Sequence, residues 1–287
     1  MRSYLIAIIS LLTFPFSGNG QQITYKNQRI ACSADGNSAP DNAYKWPIGD
    51  PDDWGATPAS LALVAKLGLQ DRLVHYSYNN FIDAPAGPDK ENNMKIACDG
   101  AIKYWDFPAE RFFDVTTHRE EAVRHLAVEM AKSTADDPLI FIHAGLSEFV
   151  YQAVMEVHKM EKTEALSHII FLSHSGFNEN ERRRIWHRDW DDIKKIGGDK
   201  MQYVKIVDQN MKHVPDKLWH SGKDFSQWYW MRDHQDESIR WIYERILVHP
   251  KGVADISDCG MFYFLFTGDQ QGSPQKFKEI LGDGISM

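Results

Sequence analysis

Three cysteines in 287 residues are too few, and an odd number, to close a disulfide framework, and Cys32, Cys98 and Cys259 match no zinc-ligand spacing. Each lies among apolar or small neighbours, which predicts buried structural thiols. There is no basic excess either. The 32 lysines and arginines are outnumbered by 40 aspartates and glutamates, for a net charge of −8; a nucleic acid polymer as partner needs the opposite footprint. The chain has no Gly-x-Ser-x-Gly elbow, phosphate-binding loop, His-Glu-x-x-His pair or dinucleotide-binding glycine fingerprint. It also lacks repeats and low-complexity tracts. What is abundant is tryptophan, nine residues, and a set of aspartates unevenly placed.

Met1-Arg2 precedes an apolar run over residues 4–14 and a small, polar exit, Ser17-Gly-Asn-Gly20. This order is that of a secretory signal peptide, and the run is short for a membrane span. Residues 1–20 are therefore expected to be removed, leaving one domain over 21–287 with a net charge of −9. The expected location is secreted or periplasmic, with no membrane attachment after cleavage; self-association is left open.

Short, nearly continuous apolar runs alternate with helical patterns along the rest. Strands are expected at 29–33, 73–78, 112–116, 139–143, 168–173 and 202–207, and helices at 57–67, 95–105, 120–132, 148–160, 237–248, 260–266 and 274–281. Pro58 would suit the first turn of its helix. Uninterrupted apolar strands separated by helices predict a doubly wound α/β domain, its mainly parallel sheet covered on both faces. Such sheets bind ligands beyond the carboxyl ends of their strands. Each expected strand exit is polar: Asp35-Gly-Asn37, Asn79-Asn80, Thr116-Thr117, His143-Ala-Gly145, His174-Ser-Gly176 and Asp208-Gln-Asn210.

The densest acidic feature is Asp50-Pro-Asp-Asp53, directly before a helix. One aspartate suffices to cap a helix. Three of them, with Asp35 at the adjacent strand end, repel one another, and an oxygen-liganded cation such as calcium would relieve that repulsion. A separate carboxylate, Asp258, opens a late apolar helix.

In this order the residues resemble the nucleoside hydrolase-like (ribohydrolase-like) superfamily. Ile30-Ala-Cys-Ser-Ala-Asp35 and Asp52-Asp53-Trp-Gly-Ala are similar to its acidic fingerprint; Asn79-Asn80, Ala144-Gly-Leu-Ser-Glu148, His174-Ser-Gly176 and Ser257-Asp-Cys-Gly-Met261 stand where its later motifs fall. The resemblance implies a Rossmann-like nucleoside hydrolase architecture and a calcium ion held by Asp35, Asp53, Asp258 and the Ser147 carbonyl. It implies sugar contacts from Asp52 and Asn80 or Asn79, and Asp35 as general base. Two departures stand out: residues 36–51 lengthen the fingerprint and carry Tyr44 and Trp46, and Ser257 replaces the family's leaving-group histidine. His174 is then the leading substitute acid, with His187 and Glu148 as further candidates. Asn178 and His187 are further candidates for substrate contact, and Trp186, Trp190, Trp228 and Trp230 for stacking. The expected activity is calcium-dependent hydrolysis of an N-glycosidic bond in a small nucleoside-type substrate. The alternatives are an O-glycosidase acting on an extracellular oligosaccharide and a non-catalytic carbohydrate-binding protein.

Overall fold

The computed structural model describes residues 23–198, 201–210 and 219–285, so the expected signal peptide lies outside the described residues. In chain order the elements begin β1 (Arg29–Ala34), α1 (Asp53–Lys66), β2 (Leu73–Tyr78), α2 (Asn93–Trp105), β3 (Phe112–Asp114) and α3 (Val115–Ala131). They continue with β4 (Leu139–Ala144), α4 (Ser147–Lys159), β5 (Ile169–Ser173), α5 (Gly176–Asn180), α6 (Trp190–Gly197) and β6 (Gln202–Lys205). The last part holds β7 (His220–Gly222), α7 (Tyr229–Arg232), α8 (Glu237–Leu247), β8 (Ala254–Asp255), α9 (Cys259–Thr267) and α10 (Pro274–Leu281).

Six strands pair in the order β3-β2-β1-β4-β5-β6, and every pairing is parallel. The side-chain period of two splits the core between the faces of this sheet. Ile30, Cys32, Ala34, Ile140 and Ile142 pack with α1, α2, α8 and α9, whereas Ala31, Leu139, Phe141 and Phe171 pack with α3, α4 and α6. The fold is thus the doubly wound α/β sheet that the apolar runs predict. Strand order reverses between β1 and β4, which opens a crevice at their carboxyl ends. All three cysteines are free and buried. No helix among the described residues is long and apolar enough to cross a membrane.

The starts of α1 and α3 differ from expectation for one reason: a polar side chain caps the first turn before the apolar pattern begins. Asp52 is the N-cap of α1, so the helix begins at Asp53 and Pro58 lies inside it, not in its first turn. Asp114 accepts from the Thr116 N–H and ends β3 early, so Val115 and Thr116 belong to α3, which is kinked at His118. The short elements α5 and α6 and the antiparallel pair β7–β8 have too few residues to show a period, and the apolar runs do not announce them.

Candidate active site

Asp35 leaves β1 at the crevice and is 1% exposed. Its backbone N–H donates to Asp53 Oδ2 at 2.9 Å, which fixes the start of α1 against the end of β1. The two carboxyls also approach to hydrogen-bonding distance, and Asp53 bonds in the same way to Asp258, the N-cap of α9. Asp52 spends one oxygen on the Asp53 N–H, at 3.0 Å, and the other on the Ser257 hydroxyl, at 2.8 Å. Chain segments 35, 50–53 and 258 therefore meet at one end of the sheet.

Burial raises the carboxyls of Asp35, Asp50 and Asp53 well above the usual range, and neighbouring carboxylates push each further. Burial raises Asp258 too, against the bond and charge of His174. Among the described residues no three His, Cys, Asp or Glu side chains stand as a ready-made metal-ligand set. Asp35 Oδ2 is buried with no hydrogen-bond partner. An unpaired buried carboxylate oxygen beside mutually repelling acids is the donor chemistry of an oxygen-seeking cation. Asp35, Asp53 and Asp258 would hold it.

His174 follows β5 and is buried, its Nε2 bonded to Asp258 Oδ1. Its Nδ1 lies 3.5 Å from Asp208 Oδ1 and 3.2 Å from the Gln209 N–H, partners that require opposite protonation of that atom. Burial opposes charge on the ring, but the bonds and charges of Asp208 and Asp258 outweigh it and lift its pKa to about 9. That balance favours the protonated ring, with Asp208 and Asp258 as its acidic partners. The ring positions Asp258.

The other sequence candidates have side chains that are engaged with neighbouring groups. Asn80 is consumed in joining the strand exits: its Nδ2 donates to Ser33 Oγ at 2.8 Å and its Oδ1 accepts from the Leu146 N–H at 3.2 Å. Asn79 donates to Asn92 and Asp114, away from the acids. The Ser147 hydroxyl donates to the carbonyls of Asn178 and Glu179, both at 3.1 Å, bonds that do not involve the Ser147 carbonyl expected as a cation ligand. Asn178 reaches the His143 carbonyl at 3.4 Å. His187 sits 3.3 Å from Asp83, which also accepts from the Trp186 indole. Of the expected set, the structure gathers Asp35, Asp52, Asp53, Asp258 and His174.

Beside the acids lies a cavity of about 610 Å³, walled by Tyr44, Trp46, Phe81 and Phe177, with Asp50, Arg183 and Lys251 among its polar groups. Residues 36–51 supply much of this wall. Their anchor is Asp41: its Oδ2 accepts from Arg183 Nη2 at 3.0 Å and its Oδ1 from Arg184 Nη2 at 2.9 Å. The Arg183 guanidinium is sandwiched between the rings of Tyr44 and Phe81, 4.1 and 3.9 Å from their centroids. Asp50 lines this cavity and its side chain bonds to Asp52, which joins the cavity to the acidic cluster. The clamp of Asp41, Arg183 and Arg184 escaped the sequence reading, since its members are separated by 142 and 143 residues.

The chain is 30% identical over 279 residues to the uncharacterized protein P22 of Formosa agariphila, a match that spans 90% of this chain and 92% of that protein. No family model matches it.

Proposed function

The chain belongs to the same family as protein P22 of Formosa agariphila, whose name assigns no chemistry, and from the site itself we propose that it is a calcium-dependent glycoside hydrolase of the nucleoside hydrolase-like kind. The observation that carries this reading is the buried, unpartnered Asp35 Oδ2 among carboxyls that repel one another, next to an aromatic-walled cavity that Asp50 lines. Asp35, Asp53 and Asp258 hold the cation in this reading. Calcium, when bound, supplies a fixed positive charge that draws in sugar and water oxygens and acidifies water.

The chain's own residues do the rest. Asp35 takes the proton of the attacking water. The anionic cluster favours positive charge developing on the sugar ring, as an oxocarbenium-like transition state requires. The aromatic walls exclude water and present flat faces to a ring. His174 holds Asp258 in place from behind. The half-exposed Trp46 and the cavity's volume also accommodate an O-linked aglycone, so the second reading is an O-glycosidase on the same machinery.

Incubation with a nucleoside panel and a panel of p-nitrophenyl glycosides, with and without chelator, tests the proposal. Chelator-sensitive release of base or nitrophenol is expected. Sugar binding without any turnover would reduce the chain to a carbohydrate-binding protein, and neither binding nor turnover would sink the reading entirely.

A further inference from the structure

The glycosidase reading leaves one role unfilled: the group that protonates the leaving aglycone. The residues nominated from the sequence, His174, His187 and Glu148, are all engaged; Glu148 accepts from Gln152 Nε2 at 2.8 Å and from the Arg188 N–H at 2.6 Å. His174 is enclosed between Asp258 and Asp208. His187 belongs to the Asp83 cluster with Trp186. The Ser257 hydroxyl has one proton and three acceptors, Asp52 Oδ2 at 2.8 Å, Asn210 Oδ1 at 2.7 Å and Asp255 Oδ1 at 3.0 Å.

We propose that Asp50 is this acid, resting the inference on the glycosidase reading above: Asp50 is the one carboxyl among the residues lining the cavity, and it joins that cavity to the acidic cluster. It is half-buried, whereas Asp35, Asp52, Asp53 and Asp258 are buried behind it. Its side chain bonds to Asp52, and its backbone is held by the preceding residue. The Gly49 N–H donates to the Asn37 carbonyl at 3.1 Å, so closely packed that a Cβ at Gly49 would lie 2.1 Å from that oxygen. Glycine is thus required where the segment presses on the exit of β1. The other titratable groups of the lining are unsuited to the exchange: Arg183 is committed to Asp41, Lys251 is an exposed cation, and burial and the nearby Glu181 keep the Tyr44 phenol protonated. Burial and the charge of Asp52 favour the protonated form of Asp50 as well.

In the step so assigned, the glycosidic bond breaks with its electron pair leaving on the aglycone nitrogen or oxygen, and that atom receives the Asp50 proton. Water bonds to the anomeric carbon and passes its own proton to Asp35. Solvent then returns a proton to Asp50 and accepts the one on Asp35.

The test compares substrates that differ in their need for an acid. Inosine needs one; p-nitrophenyl β-D-ribofuranoside releases a stable anion and does not. If the wild type cleaves a different sugar, the methyl and p-nitrophenyl glycosides of that sugar replace the pair. Asp50→Asn in the full chain is expected to keep the calcium-induced rise in Tm. It should lose about 10²- to 10⁴-fold in kcat/KM on the acid-dependent substrate but at most about tenfold on the nitrophenyl one. Equal losses on both, acid-dependent turnover within tenfold of wild type, or loss of the calcium-induced rise would overturn the inference. Should Asp50→Asn not fold, Asp50→Glu carries the same comparison, with the larger loss again expected on the acid-dependent substrate. A wild type that cleaves nothing overturns the glycosidase reading and this inference with it; a wild type that cleaves both substrates while the variants show no leaving-group dependence overturns the inference alone.

Discussion

Asp53 Oδ2 accepts the backbone N–H of Asp35 at 2.9 Å across 18 residues of chain. The bond makes the end of β1 and the first turn of α1 a single unit and brings two carboxyls together out of water. Neither consequence favours the folded state unless something compensates the charge. Burial and the surrounding carboxylates hold both groups above the usual range, so the folded, metal-free protein retains protons that the unfolded chain releases.

The sign of the pH effect follows. A carboxyl whose folded pKa is raised contributes stability fully present below its unfolded value, about 4, and lost as pH rises through the folded value. Metal-free protein is therefore expected to lose thermal stability above that range, and calcium to restore it by an increment that grows with pH. At a hundred times its dissociation constant a ligand adds about 2.7 kcal/mol. Asp53→Asn should remove the calcium increment while raising the Tm of the chelated protein at neutral pH. A calcium increment that survives the substitution, read by thermal melts with and without chelator, would remove Asp53 from the site.

The Asp41 clamp runs in the opposite direction. Burial works to raise Asp41, but the hydrogen bonds and charges of Arg184 and Arg183 outweigh it and hold the carboxyl below its ordinary range. Its contribution is present above the unfolded value near ~4 and is lost as pH falls through the lower folded value. Asp41→Asn leaves Arg183 buried without its counter-ion and is expected to cost about 3–5 kcal/mol at pH 7, with the deficit shrinking toward pH 3. Urea unfolding at the two pH values reads both terms. An equal deficit at each would show packing, not charge, to be what the clamp provides.

Ser257 supplies the third case. It stands where the resembled superfamily has a histidine, yet the side chain is 0% exposed and its hydroxyl serves Asp52, Asn210 and Asp255. Ser257→Ala strands these acceptors and should cost about 1–3 kcal/mol. Ser257→His must force a ring into the same closed space and is expected to destabilise further, not to raise turnover. A Ser257→His variant with wild-type Tm and faster release of base would show that the position can house a leaving-group acid.

The centre of the sheet was legible because β4 and β5 are largely buried on both faces and carry few polar residues, so Leu139–Ala144 and Ile169–Ser173 stand out as runs. The acidic cluster was legible in part because three of its members are adjacent in sequence and Asp35 ends a strand. Polar roles were harder to read. Asn80, Ser147 and Asn178 sit at strand exits as expected, yet their side chains hold neighbouring loops together. A strand-end amide has the same composition whether it faces a ligand or a carbonyl. Nor does sequence spacing show which aspartate of Asp50-Pro-Asp-Asp53 reaches the cavity; the Gly49 contact with Asn37 decides that.

The tryptophans divide by the same physics, and a pair of substitutions exposes the division. Trp228 is 0% exposed, with its indole N–H on Ser221 Oγ at 3.1 Å. Trp46 is 52% exposed on the cavity wall, tilted against Phe177 at 5.6 Å and edge-on to Tyr44 at 5.9 Å. Trp228→Ala empties core volume and removes the indole donor to Ser221, for an expected loss of about 3–5 kcal/mol. Trp46→Ala removes a ring that solvent already reaches, so its stability should stay within about 0.5 kcal/mol of wild type. Its cost should fall on ligand binding instead: a stacked ring contributes about 1–3 kcal/mol, which raises KM or Kd roughly fivefold to 150-fold by the ordinary conversion. Urea unfolding and a binding isotherm on the same preparations separate the two effects. If Trp46→Ala unfolds as easily as Trp228→Ala and binds ligand as tightly as wild type, the aromatic wall is scaffold and the cavity's ligand stacks elsewhere.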